Sequence, residues 1–234
     1  MKRLVVLSGA GMSAESGINT FRDADGLWEG HDVMDVASPE GWHANSQLVL
    51  DFYNQRRRQL IQVKPNLGHQ VLKQLEQQFD VTIITQNVDD LHERAGSSTV
   101  IHLHGELLKA QSTRDSNLVY PWVKDIKWGD CCELGGQLRP FIVWFGEQVP
   151  MLDCAIELVS QADIVIIIGT SMQVYPAASL AGFASKDCSI YYLDPKPAVN
   201  DAVAQLSNLT IIKQTAVKGL PVLTKKLSDN FKDN

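Results

Sequence analysis

Two histidines one residue apart, in Val100-Ile101-His102-Leu103-His104-Gly105-Glu106, are the groups in this sequence best suited to move a proton near neutral pH. Alternation in an extended segment puts both on one face, and Gly105 permits a close backbone approach. Two imidazoles also suit a metal, but no third ligand stands at a convincing spacing. A general base is therefore the favoured reading, with His104 preferred beside the glycine. Upstream, the run Val81-Thr82-Ile83-Ile84 opens into Thr85-Gln86-Asn87-Val88-Asp89-Asp90-Leu91-His92. Gln86 and Asn87 bring directional amides and Asp89 a carboxylate on the same turn. For either aspartate alone, a cap on the following helix is the better reading.

Two glycine turns complete the set. Strand-like Lys2 to Ser8 feeds Gly9-Ala10-Gly11-Met12-Ser13-Ala14, a Gly-x-Gly-x-x-Ala pattern that lets backbone amides approach a pyrophosphate and aims a helix N-terminus at its charge. The apolar run Ile164 to Ile168 ends in Gly169-Thr170-Ser171, whose amides and hydroxyls suit a ribose or phosphate. A hydride-transferring dehydrogenase needs a second strand ending in an acid about 20 residues after the glycines, and Ile18 to Gly30 is instead a polar loop.

Positioning these groups falls to strands expected at 3–8, 81–85, 163–169, 188–193 and 209–213. Helices are expected at 46–62, 67–79, 151–160 and 216–228, with Asn45 or Ser46 and Asn66 as N-caps. The alternation predicts an α/β fold, a Rossmann-like parallel sheet with helices on both faces. Residues 1–234 read as one domain, with a large lobe over about 1–25, 63–102 and 147–234 and a smaller one made of two insertions, about 26–62 and 103–146. The second insertion reads as irregular. The ligand is expected between the lobes, at the carboxyl ends of the strands.

A formal net charge of −6 argues against a general nucleic-acid binder, and the longest apolar run is too short to span a bilayer. Four cysteines in 234 residues form no disulfide framework. No signal peptide is expected at the N-terminus, and a cytoplasmic, monomeric protein acting on small molecules is expected.

Taken in order, Gly9 to Ile18 with Phe21-Arg22, Thr85 to Asp89, His104-Gly105-Glu106, Phe145-Gly146-Glu147 and Gly169-Thr170-Ser171 resemble the sirtuins, NAD-dependent protein lysine deacylases, and closely the compact bacterial branch. The likeness spans nearly the whole chain. It implies that NAD is consumed: an acyl-lysine carbonyl oxygen attacks the nicotinamide ribose, nicotinamide leaves, and the acyl group passes to ADP-ribose. It further implies His104 as the base, Asn87 and Asp89 at the nicotinamide end, and Gln86 on the ribose. Gly9, Ala10, Gly11, Ser13, Ala14, Phe21, Arg22, Gly169, Thr170 and Ser171 would bind the rest of the cofactor, with Phe21 shielding the reaction from water. Where many relatives place an asparagine for the adenosine ribose, Asp194 stands, and Ala216 would line the adenine pocket.

On the helix 46–62, Arg56 falls on the apolar stripe of Val49, Phe52, Tyr53 and Leu60. A snorkelling arginine is one reading. The sharper one is a phenol and a guanidinium reading a carboxylate on the acyl group. Tyr53-x-x-Arg56 with Ala37 looks like the signature of sirtuins that remove succinyl and malonyl groups, small Ala37 leaving room for the longer chain. Most sirtuins hold zinc with two cysteine pairs. Here only Cys131-Cys132 stands in the small lobe and 109–115 carries none, so no metal is expected. Rival readings are an NAD or ADP-ribose sensor, a protein ADP-ribosyltransferase and an ordinary NAD-dependent dehydrogenase.

Overall fold

The computed structural model describes residues 1–19, 27–206 and 208–231. Its strands are β1 (Arg3–Ser8), β2 (Leu27–Trp28), β3 (His31–Asp32), β4 (Asp80–Thr85), β5 (Val100–His102), β6 (Gly105–Ser112), β7 (Val119–Pro121), β8 (Leu138–Ile142), β9 (Ile164–Ile168), β10 (Ser189–Leu193) and β11 (Leu209–Ile212). Its helices are α1 (Val33–Val36), α2 (Pro39–Ala44), α3 (Ser46–Gln62), α4 (Leu67–Leu75), α5 (Leu91–Arg94), α6 (Leu152–Ser160), α7 (Asp201–Ala204) and α8 (Ala216–Phe231).

The main sheet runs β11-β10-β9-β1-β4-β5, every pair parallel. From β1 the chain builds outward to β4 and β5, then returns to the other side through β9, β10 and β11. The strand order therefore reverses between β1 and β9, and a doubly wound sheet opens its ligand crevice at that point. Burial on both faces explains the unbroken apolar strands. Leu4 and Val6 of β1 join the core under α4 and α8, while Val5 and Leu7 join the opposite core under α6 and the 3-10 stretch Ala177–Phe183. Each such side chain stabilises the fold by roughly 1.5–3 kcal/mol relative to exposure.

Asn45, rather than Ser46, caps α3, accepting from Leu48 N–H. Asn66 caps α4, and its own N–H reaches back to His69 Nδ1 in a reciprocal box. This helix stops at Leu75 instead of 79, where i→i+3 bonds at Gln77 and Gln78 tighten the chain toward β4.

Three sequence expectations are corrected. Residues 103–146 are not irregular: β6, β7 and β8 form an antiparallel sheet, β7-β6-β8. A register shift between Gly105 and Ala110 interrupts the alternation along β6, and Pro140 sits inside β8, so neither reads as a regular strand. The expected loop 18–30 ends in a hairpin, β2 with β3. The glycine turn after β1 leads not into an α-helix but into two 3-10 turns, Ala10–Met12 and Ala14–Ser16.

Helix α3 packs on the small sheet through two cores, one around Phe52, Tyr53, Leu107 and Trp144, the other around Leu50, Ala110, Ile126 and Leu138. Arg57, which sequence reasoning passed over, is fully buried there. It donates to the Leu107 carbonyl and to Asn54 Oδ1, and Asn54 in turn bridges both backbone groups of Ile126.

Candidate active site

The turns after β1 and β9 meet because neither carries side chains where they touch. A Cβ on Gly11 would lie 2.8 Å from Gly169 Cα, and one on Gly169 would lie 2.3 Å from Met12 N. Gly169 also has φ +60°, a conformation glycine adopts without strain. Gly9 N–H donates to the Ile168 carbonyl and Gly11 N–H to the Gly169 carbonyl. Those two amides are thus spent on joining the turns rather than left for a phosphate. Ala10 is half-buried on the same rim and Ala14 is exposed.

Beside this junction a polar chain runs through the turn after β4. Asn87 Nδ2 donates to Ser13 Oγ (3.2 Å), and the Ser13 hydroxyl donates to Asp89 Oδ2 (2.8 Å). Asp89 Oδ1 accepts from Leu91 N–H, so the carboxylate both holds the first amide of α5 and faces Ser13. Burial raises the Asp89 pKa against the lowering effect of the Ser13 and Leu91 bonds. Gln86 Nε2 donates to Thr170 Oγ1 (3.1 Å), tying the β4 and β9 ends together, and Ser171 follows, half-buried.

Both histidines of the β5 end reach this turn. His104 Nδ1 lies 3.1 Å from the Gln86 carbonyl and His102 Nδ1 3.0 Å from the Asn87 carbonyl. A carbonyl only accepts, so each Nδ1 carries a hydrogen. Their second nitrogens differ. His102 Nε2 meets Glu93 Oε1 at 2.7 Å, and although burial lowers its pKa, the Glu93 carboxylate raises it further, so the net shift is upward. For His104 burial prevails over the Gln86 bond and the pKa falls. His104 is thus a neutral imidazole at pH 7 with its lone pair on Nε2, the state a proton acceptor requires. Sequence reasoning found the pair but not Glu93, nine residues before His102 on α5.

Asp194 follows β10, buried, with Oδ1 accepting from Lys196 N–H. Ala216 opens α8, where Glu15 accepts from Val217 N–H. Phe21 and Arg22 lie outside the described residues. Tyr53, Arg56 and Asp89 line a cleft with Ile18, Trp28, Glu29, Val88 and Leu107, which places α3 beside the polar chain. Tyr53 is fully buried, its hydroxyl accepts from Trp144 Nε1 (3.2 Å), and burial raises its pKa. Trp144 is held in turn by Glu147, which accepts its backbone N–H and pairs with Arg139. Ala37 is buried against this group and accepts from Phe145 N–H. In the small lobe Ser112 Oγ faces Cys132 Sγ at 3.1 Å. Among the described residues no group of three or more His, Cys, Asp or Glu side chains is placed to hold a metal ion.

A reversing parallel sheet, a glycine junction at its switch point and an amide, hydroxyl and neutral-imidazole cluster above it define a nucleotide-binding α/β protein equipped for proton transfer. The Sir2 family profile matches residues 9–176, and the chain belongs to that family. It is 63% identical over 227 residues to the NAD-dependent protein deacylase of Helicobacter pylori, covering 97% of this chain and 98% of that one. The Bacteroides thetaiotaomicron protein of the same name is 57% identical over 203 residues, covering 84% and 87%. A Sir2 homologue solved as an NAD complex superposes with a TM-score of 0.87 at 36% identity, over 98% of this chain and 90% of that one.

Proposed function

We infer that this chain is an NAD-dependent protein deacylase acting on acylated lysine, with removal of succinyl and malonyl as well as acetyl groups. Family membership supports the activity, and His104, held at the switch-point cluster by its Nδ1 on the Gln86 carbonyl, is the observation that carries the chemistry. The donor set fits the cofactor: amides, hydroxyls and a neutral imidazole suit a carboxamide and ribose hydroxyls, and they line the crevice where doubly wound folds take dinucleotides. When bound, NAD would supply an electrophilic ribose carbon and nicotinamide as its leaving group. His104 Nε2 would accept a proton from a ribose hydroxyl, while the Gln86 carbonyl holds the opposite nitrogen protonated and fixes the tautomer. Asn87, with Nδ2 committed to Ser13, would offer its side-chain carbonyl oxygen to the nicotinamide amide, and Asp89 holds Ser13 in place. Gln86 and Thr170 take the ribose. Gly9, Ala10, Gly11, Ala14 and Ser171 border the phosphates, with Asp194 and Ala216 toward the adenosine. The family resemblance also assigns Phe21 and Arg22 to the cofactor.

The two lobes hold cofactor and acyl-lysine between them. Tyr53 and Arg56 read an acyl carboxylate, with the Tyr53 hydroxyl oriented by Trp144. All four cysteines are unpaired, which fits a reducing cytoplasm. Mass spectrometry of matched acetyl, succinyl and malonyl peptides with and without NAD tests the reading. All three lose their acyl groups only with NAD, one nicotinamide per acyl group, and a sensor or hydride-transferring enzyme releases none. Tyr53→Phe combined with Arg56→Met lowers kcat/KM on the succinyl peptide at least about tenfold more than on the acetyl peptide, the scale of one or two charged hydrogen bonds. Equal loss on both removes the carboxylate reading.

A further inference from the structure

Arg56 already has a carboxylate. Its Nη2 lies 3.7 Å from Glu29 Oε2, with side-chain exposures of 10% and 27%. The guanidinium rests 3.5 Å from the centre of the Phe52 ring, Nη1 donates to the Phe52 carbonyl, and Nε is buried with no partner among the described residues. At 3.7 Å the Glu29 contact is an ion pair too long for a good hydrogen bond. Arg56 is thus a nearly buried cation with a loose counter-ion and at least one unused donor. A guanidinium so placed accepts a better-aligned carboxylate in exchange for a poorer one.

The backbone under Glu29 supports a purpose for it. Glu29 and Gly30 are the two central residues of the β2–β3 hairpin, with φ +53° and +82°. Such a two-residue turn with both φ positive favours Asn, Asp or Gly at its first position, and glutamate is uncommon there. The turn fixes the side chain's origin opposite Arg56, and a residue kept against local preference is a candidate for function.

We propose that Glu29 is an internal stand-in for the acyl carboxylate, a counter-ion that stays on Arg56 when the acyl group is neutral and is displaced when it is acidic. With an acetyl substrate, the pair prevents an uncompensated charge inside the cleft. With a succinyl substrate, two carboxylates compete for one guanidinium, so Glu29 sets how strongly acidic acyl groups are preferred. The proposal rests on the reading of Arg56 as the group that meets the acyl carboxylate.

The test is the ratio of kcat/KM for matched succinyl and acetyl peptides, which does not depend on the fraction of active enzyme. Glu29→Gln removes the charge, and Glu29→Asn removes it with a residue the turn prefers. Both raise the succinyl-to-acetyl ratio by about two- to fivefold, the worth of a loose ion pair. In the Arg56→Met background the same substitutions leave the ratio where Arg56→Met alone puts it. If Glu29→Gln and Glu29→Asn leave the ratio unchanged while Arg56→Met collapses it, the stand-in role is overturned and the Arg56 reading survives. If Arg56→Met itself leaves the ratio unchanged, both fall.

Discussion

His104 and His102 differ by their partners alone. Each Nδ1 donates to a carbonyl of the same turn, yet Glu93 gives His102 a reason to hold a second proton, whereas burial takes one from His104. His104→Ala therefore lowers kcat by roughly 10²–10⁴, the usual worth of a positioned base, and leaves NAD affinity, read by calorimetry, within a few fold. Loss of NAD binding together with turnover would reassign His104 to the cofactor site. Because its pKa is lowered, the acid limb of kcat/KM contributed by His104 falls below the ordinary histidine value of about 6.5. Sequence spacing puts both imidazoles on one face, but residue types do not reveal which is neutral. That depends on a carboxylate brought in by α5 and on the depth of the turn.

At the scale of elements, the contact between the β1 and β9 turns is the joint of the site. Gly169→Ala places a methyl group 2.3 Å from Met12 N at a φ of +60°, where no flexible side chain can give way. Backbone strain at such a position costs about 1–3 kcal/mol before the clash is counted. Thermal unfolding drops by several degrees as the turns separate, and NAD affinity falls with it. An unchanged melting temperature would mean that the two turns are not held in register by this contact. Strands of the main sheet were legible because two-sided burial demands unbroken apolar runs, as in Ile164 to Ile168. The small sheet was hidden by a register shift in β6 and a proline in β8, and the β2–β3 hairpin by a glutamate at a turn position that favours smaller residues. The glycine turn was legible as a close approach, although what approaches Gly11 in the structure is Gly169.

For the molecule as a whole, two more buried imidazoles tie the cofactor crevice to the stability of the fold. His69 Nδ1 accepts from Asn66 N–H, so its hydrogen is on Nε2, which is buried without a partner among the described residues. His92 Nε2 meets Ser8 Oγ at 3.0 Å, and Ser8 donates to Thr85 Oγ1, the acceptor of Asn87 N–H. The two rings stand 4.9 Å apart, both fully buried. Burial lowers the His69 pKa to about 4, and burial followed by its histidine neighbours lowers that of His92. A histidine that stays neutral when folded and charges when unfolded leaves stability intact above pH 6.5 and removes it as pH falls toward the folded value. From 6.5 unfolded to about 4 folded, His69 alone removes about 2 kcal/mol by pH 5. His102 opposes this, since its raised pKa adds stability as the medium turns acidic. Its net shift is the outcome of burial opposing Glu93, whereas His69 has no acidic partner among the causes of its shift, so the loss prevails. Urea unfolding at pH 7.5 and pH 5.0 measures the difference directly. His69→Gln retains an acceptor for Asn66 N–H but cannot titrate, so its loss between the two pH values is smaller than that of the parent by about 2 kcal/mol. An identical loss in both proteins would show that His69 titrates alike in the folded and unfolded chain, the added proton sitting on Nδ1 at the expense of the Asn66 N–H bond.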